Sequence, residues 1–139
     1  LKQMGEQGLN AKMFSGDSMN SAELWTIAGK AAENMVFTFA PDPRNFPTAN
    51  AIVEEFKKGG YDPEGYTLYT YAAFQMFKQG AEAVKSNDPQ KVAEWLKAGN
   101  TTKTVLGDIT LDKKGDLVDP VYVWYTFKDG KYFEDPSIK

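Results

Sequence analysis

The six-residue run Met35-Val36-Phe37-Thr38-Phe39-Ala40 is followed at once by Pro41, Pro43 and Pro47, and this junction constrains the fold more than any other stretch of the chain. The run is β-branched, aromatic and almost continuously apolar, which suits a strand covered on both faces, as in a parallel sheet. Upstream, Ala11 to Ser15 reads as a short strand, and Ser21 as the N-cap of a helix that runs to about Ala28 and stops at Gly29. Strand, helix and strand make a crossover unit. Three prolines so close together break any regular element, so the junction reads as a boundary or hinge where the chain changes layer.

Beyond the prolines the spacing predicts three helices. Ala49, Ile52, Val53 and Phe56 fall at i, i+3, i+4 and i+7, and Gly59-Gly60 ends that helix. From about Thr67 to Lys85 the apolar stripe (Tyr69, Ala72, Ala73, Met76, Phe77, Gly80, Ala81, Val84) is wide enough to lie between other layers, which predicts a mostly buried helix. Asp88-Pro89 caps a third helix through Ala98, with Val92, Trp95 and Leu96 inward. The remainder is β: Thr104-Val105-Leu106 and Ile109-Thr110-Leu111 as short strands, a polar turn at Asp112-Lys113-Lys114-Gly115-Asp116, and a strand at Val121 to Phe127. Asp129-Gly130 then turns that strand back into Tyr132-Phe133 as a hairpin. At the other end, Leu1 to Leu9 reads as the last turns of a helix stopped at Gly8, with no cap before it, and is expected to continue something upstream.

The residue inventory removes most chemistry. With no histidine and no cysteine there is no Ser-His-Asp triad, no Cys-His pair, no imidazole or thiolate metal site and no disulfide framework. A net charge of -3 and a pI near 5.0, with scattered basic residues, argue against a nucleic-acid partner. No Gly-x-Gly-x-x-Gly or Walker-type loop is present to cradle phosphate. The 112–116 turn puts lysines where a calcium loop needs oxygen ligands. Glu54-Glu55 and Asp116 with Asp119 read as solvated rather than as paired acids. Asn100-Thr101-Thr102 fits a glycosylation acceptor, which matters only in a secretory eukaryotic setting. No apolar stretch approaches the ~20 residues of a membrane span.

One polar residue keeps two readings. Asp17, in Met13-Phe14-Ser15-Gly16-Asp17-Ser18, follows a short apolar run and precedes a capped helix. Gly-Asp-Ser is ordinary turn chemistry, yet the carboxyl end of a strand in an α/β sheet is also where ligands bind.

The order of the elements now resembles a known family. Leu1-Lys2-Gln3 through Gly8-Leu9, Ile27-Ala28-Gly29 through Ala32-Glu33-Asn34-Met35, and Ala49-Asn50-Ala51-Ile52-Val53-Glu54-Glu55-Phe56-Lys57 carry the likeness, continued by Tyr71-Ala72-Ala73, Gly107-Asp108-Ile109 and Lys114-Gly115-Asp116-Leu117. End to end, the chain resembles the C-terminal part of a type I periplasmic substrate-binding protein, of the branched-chain amino acid group that feeds ABC importers.

The resemblance implies an α/β fold that is part of a two-lobed protein, with layered α/β lobes, a C-terminal β-hairpin and a chain that crosses between lobes three times. It implies that residues 1–40 are a βαβ segment of the C-terminal lobe, that 41–110 hold helices packing on the N-terminal lobe, and that 111–139 return to the C-terminal lobe. The chain would then be a C-terminal fragment, and its helices would need the missing N-terminal lobe, or a second chain, to cover their apolar faces. The ligand would be an aliphatic or branched-chain amino acid held between the lobes, which close by hinge motion for recognition by a membrane permease.

By the same resemblance Asp17 takes the position whose acidic side chain accepts the ligand's α-ammonium, where the family often has the longer glutamate. Tyr66 takes a position, just ahead of the long helix, where an aromatic ring borders the ligand's side chain; packing alone also accounts for an aromatic there. Ser18 and Ser15 are candidates for further hydrogen bonds from the same loop, with helix capping as their other reading. No cofactor is implied. The place implied is the periplasm or an anchored position outside the cell. Alternatives are a ligand-sensing domain of the same fold in signalling, or binding of an amide, urea or aromatic acid. An enzyme using Asp17 and Tyr66 as acid and base is argued against by the missing histidine and cysteine.

Overall fold

The computed structural model describes residues 1–138, and the chain divides into two compact units: Leu1–Pro41 with the segment from Val121 onward, and Asp42–Pro120. Residues 111–120 therefore go with the helices.

The first unit is built on a four-stranded sheet of β1 (Phe14–Ser15), β2 (Val36–Phe39), β5 (Val123–Lys128) and β6 (Lys131–Glu134), in the order β1-β2-β5-β6. Only Phe14 and Ser15 of the expected 11–15 strand pair, in parallel, opposite Val36 and Phe37. On its other side β2 is antiparallel to β5, so the sheet is mixed rather than parallel. The inference of a strand covered on both faces holds all the same, with Val36, Phe37 and Phe39 buried. Phe37 is the centre of an aromatic cluster: it stacks on Tyr125 at 5.2 Å and meets Phe127 at 5.8 Å and Tyr132 at 6.3 Å. The Tyr125 hydroxyl donates to the Ala40 carbonyl at 3.0 Å, so this ring is buried without losing its hydrogen bond. The β5–β6 hairpin turns at Asp129 (φ 49°) and Gly130 (φ 86°), the two left-handed residues that a tight hairpin of native twist requires.

Two α-helices accompany these strands. Helix α1 (Lys2–Glu6) precedes β1, and α2 (Ala22–Ala28) begins where the Ser21 Oγ accepts from the Glu23 amide at 3.1 Å. Trp25 of α2 lies over the hairpin turn, where a Cβ on Gly130 would meet its ring nitrogen at 3.3 Å.

The second unit contains α3 (Asn50–Lys58), α4 (Thr67–Val84) and α5 (Pro89–Lys97), followed by the two-stranded β3 (Thr102–Thr104) and β4 (Gly107–Ile109). Ala49, Val53, Leu68, Ala72 and Val105 form its core, with Phe46, Ile52, Phe56 and Leu106 against it. The Asp88 carboxylate caps α5 by accepting from the Gln90 amide at 2.9 Å. Gly80 lets α4 and α5 approach: a Cβ there would sit 2.8 Å from Val92 Cγ1.

The second unit departs from expectation in its hairpin and in its long helix, and its second strand is Gly107–Ile109 where Ile109-Thr110-Leu111 was expected. The hairpin turn falls on Val105-Leu106, inside the stretch read as a strand. The Thr104 hydroxyl accepts from the Leu106 amide at 3.0 Å and donates to the Gly107 carbonyl at 2.9 Å, closing the turn. Val105 finds side-chain partners in place of a strand: its amide donates to Gln75 Oε1 at 2.8 Å and its carbonyl accepts from the Thr48 hydroxyl at 2.7 Å. Gln79 does the same for β3, its amide group donating to the Lys103 carbonyl at 2.9 Å and accepting from the Lys103 N–H at 3.1 Å. The long helix is also not mostly buried. Leu68, Ala72 and Gly80 are, but Tyr71, Phe74 and Phe77 stand in solvent, Phe74 71% exposed, because α5 and β3 cover only one side of α4.

Candidate functional site

Asp17 opens a 3-10 turn, Asp17–Met19, that follows β1 after Gly16 alone. The extended backbone of Gly16 (φ -99°, ψ -163°) carries the strand direction into the turn, which the Asn20 amide closes on the Asp17 carbonyl at 3.1 Å. The Asp17 and Ser18 side chains are exposed at the carboxyl end of β1. Ser18 caps neither element, because the cap of this turn is Gly16 and the cap of α2 is Ser21. Ser15 lies within β1, opposite Phe37, and is half-buried. Next to the turn, Asn20 is buried with its Oδ1 lacking a hydrogen-bond partner among the described residues.

Tyr66 lies in the other unit, as the residue before α4, with its carbonyl accepting from the Thr70 amide at 2.8 Å. It is 50% exposed, so it is not a core aromatic. The loop that presents it is well held. Pro63 is fully buried, the Tyr61 ring meets Phe56 at 5.9 Å, and the Tyr61 and Thr67 hydroxyls are 2.9 Å apart. A groove of about 390 Å³ beside the loop is lined by Ile52, Glu55, Phe56, Gly59, Tyr61 and Tyr71.

The same loop is tied to the proline-rich segment by a group that was not singled out from the sequence. Arg44 Nη1 reaches Asp62 at 2.6 Å, while Nε and Nη2 grip the Asp42 carboxylate at 2.9 and 2.6 Å. Asp42-Pro43-Arg44 is readable as a capped turn, but its reach to Asp62 depends on tertiary structure.

Other motifs resolve structurally. Asp112 accepts three backbone N–H bonds at one oxygen, from Lys114, Gly115 and Asp116 at 2.8 to 3.0 Å, and the Asp116 amide leads in holding its carboxyl below the usual value. Asn100 is engaged as a helix-end partner, its amide donating to the Trp95 carbonyl at 2.7 Å, and Thr102 is buried, so the glycosylation pattern is structural.

The sequence model of the periplasmic binding protein family matches residues 1–131. The chain belongs to that family. Among its relatives, the Leu/Ile/Val-binding protein homolog 1 of Brucella suis is 50% identical over 135 residues, which cover 95% of this chain and 36% of that protein. An amino acid binding protein of Pseudomonas aeruginosa is 45% identical over 139 residues, 98% of this chain and 37% of that one. This periplasmic binding protein chain thus spans little more than a third of those relatives. Its fold matches a leucine-binding protein from Thermotoga maritima with a TM-score of 0.81 at 26% identity, covering 96% of this chain and 39% of that one. A branched-chain amino acid transporter substrate-binding protein from Streptococcus pneumoniae, in complex with isoleucine, matches at 0.75 and 19% identity, over 94% of this chain and 38% of that one; at that identity the likeness is one of fold. The α/β architecture is therefore that of part of a type I periplasmic binding protein.

Proposed function

We propose that the chain is part of the solute-binding component of an ABC importer, working outside the cytoplasm, and that the whole protein binds an aliphatic or branched-chain L-amino acid and presents it to a membrane permease. The observation that carries this reading is an exposed carboxylate, Asp17, at the carboxyl end of β1 in a chain 45–50% identical to proteins named for binding amino acids. A zwitterionic amino acid removed from water needs an anionic acceptor for its α-ammonium, and a carboxylate supplies charge-assisted hydrogen bonds. Ser18, from the same turn, adds a hydroxyl that is not spent on capping. Tyr66 offers a half-exposed ring to an aliphatic side chain. The chemistry is binding, not catalysis.

Within the whole protein, the unit carrying Asp17 belongs to the C-terminal lobe, and α3 to α5 pack on the N-terminal lobe, whose surface covers the exposed side of α4. Titration calorimetry of the full-length protein with L-leucine tests the ammonium contact. Asp17→Ala is expected to weaken binding by roughly thirtyfold or more, as when one partner of a desolvated charge pair is removed at about 2–5 kcal/mol. Unchanged affinity would overturn the contact.

A further inference from the structure

We infer that Arg44 is a positioning residue for ligand binding, holding the loop that presents Tyr66 from the proline-rich segment eighteen residues away. The inference rests on the reading that Tyr66 borders the ligand. Asp42 is the N-cap of the 3-10 turn Pro43–Asn45, its Oδ1 accepting from the Arg44 amide at 3.0 Å. The same carboxylate then grips the Arg44 side chain through Nε and Nη2. With both ends fixed, the guanidinium has one orientation, and Nη1 is delivered to Asp62 Oδ2 at 2.6 Å. An exposed ion pair contributes little because two flexible chains must be ordered to make it. Here the arginine's share of that ordering is already done, since the Arg44 and Asp42 side chains are only 23% and 20% exposed and the fork is preformed; what remains to be fixed is the short Asp62 side chain, 55% exposed.

Asp62 opens the segment that ends at Tyr66. Its carbonyl accepts from the Glu64 amide at 2.8 Å, and the Glu64 carbonyl accepts from the Thr67 amide at 3.3 Å, so the backbone is chained from the Arg44 contact to the first residue of α4. Gly65, between them, has φ 59°, a left-handed turn that glycine makes without strain and that sets the direction in which Tyr66 leaves the loop. Lysine would not serve, since a point charge cannot hold Asp42 by a fork and reach Asp62 at once.

The test uses the full-length protein and L-leucine, with Arg44→Met, Arg44→Lys, Asp62→Asn, the Arg44→Met/Asp62→Asn double variant and Tyr66→Ala. Affinity is measured by calorimetry on the folded fraction, and thermal midpoints are taken without ligand. Each Arg44 variant and Asp62→Asn is expected to weaken leucine by about three- to tenfold, and the double variant by no more than one single variant, the non-additivity of groups acting through one contact. Midpoints that fall while affinity stays unchanged would mean that the contact serves stability alone, and additive losses would mean that the two residues act separately; either overturns the positioning role. Loss of affinity in Tyr66→Ala with none in the Arg44 variants overturns this inference and leaves the ligand reading standing. No loss in Tyr66→Ala overturns the Tyr66 reading and the inference with it.

Discussion

Asp112 illustrates how one side chain can organise a turn. Its Oδ1 gathers three amides, and that hydrogen bonding, led by Asp116, pulls its carboxyl below the ordinary 3.8. A group that binds its proton more weakly when folded stabilises the fold fully above its unfolded pKa, and loses that contribution as pH falls through the folded value. Asp112→Asn is therefore expected to lower the thermal midpoint at neutral pH, with the gap to the parent protein narrowing below about pH 4. Asp135, lowered by the Ser137 hydroxyl, titrates in the same sense in both proteins and cancels in the comparison. Asp17 could be located from sequence because glycine and a following cap bracket it, and its turn forms where those signals put it. The second reading of Ser18, as a cap, failed because Ser21, three residues on, takes that task. Arg44 was invisible for a different reason: an ion pair across eighteen residues leaves no periodicity to read.

Helices and hairpins with local signals were legible, and those held by distant side chains were not. Asp129-Gly130 fixes its own hairpin, and Asp88-Pro89 its own helix start. The β3–β4 turn escaped because Val105-Leu106 looks like a strand, and only Gln75 and Thr48 from elsewhere reveal it as a core-filling turn. The meeting of α4 and α5 gives a sharper test. Gly80→Ala gains about 1 kcal/mol of helix propensity but overpacks Val92 at about 1–3 kcal/mol. Overpacking prevails, because Val92 is 1% exposed and Trp95 Cε3 stands 3.4 Å from the new methyl. The variant is expected to melt at lower temperature, and adding Val92→Ala to recover part of the loss; a Gly80→Ala protein at least as stable as its parent would refute the close-approach argument.

Taken whole, the chain is an assembly of two units whose α/β class was readable from the order of its elements, whereas the mixed sense of its sheet was not, since strand direction depends on a hairpin eighty residues downstream of β2. Of the residues placed in the inward stripe of α4, Phe77 was misjudged, because an apolar stripe records the face a helix offers for packing, not that anything in the chain covers it. Gln79 acts against a hazard that any such partly covered β element brings. An unpaired strand edge recruits a strand from another molecule. At Lys103 both outward backbone groups of β3 are already occupied by the Gln79 amide, so this side chain serves as a one-residue imitation strand and closes the edge. Gln79→Leu would reopen it, and sedimentation velocity at rising concentration is expected to show self-association in that variant and not in its parent. In that light Gln79 is a guard against self-association, spending its own amide so that the backbone at Lys103 has nothing left to offer a stranger.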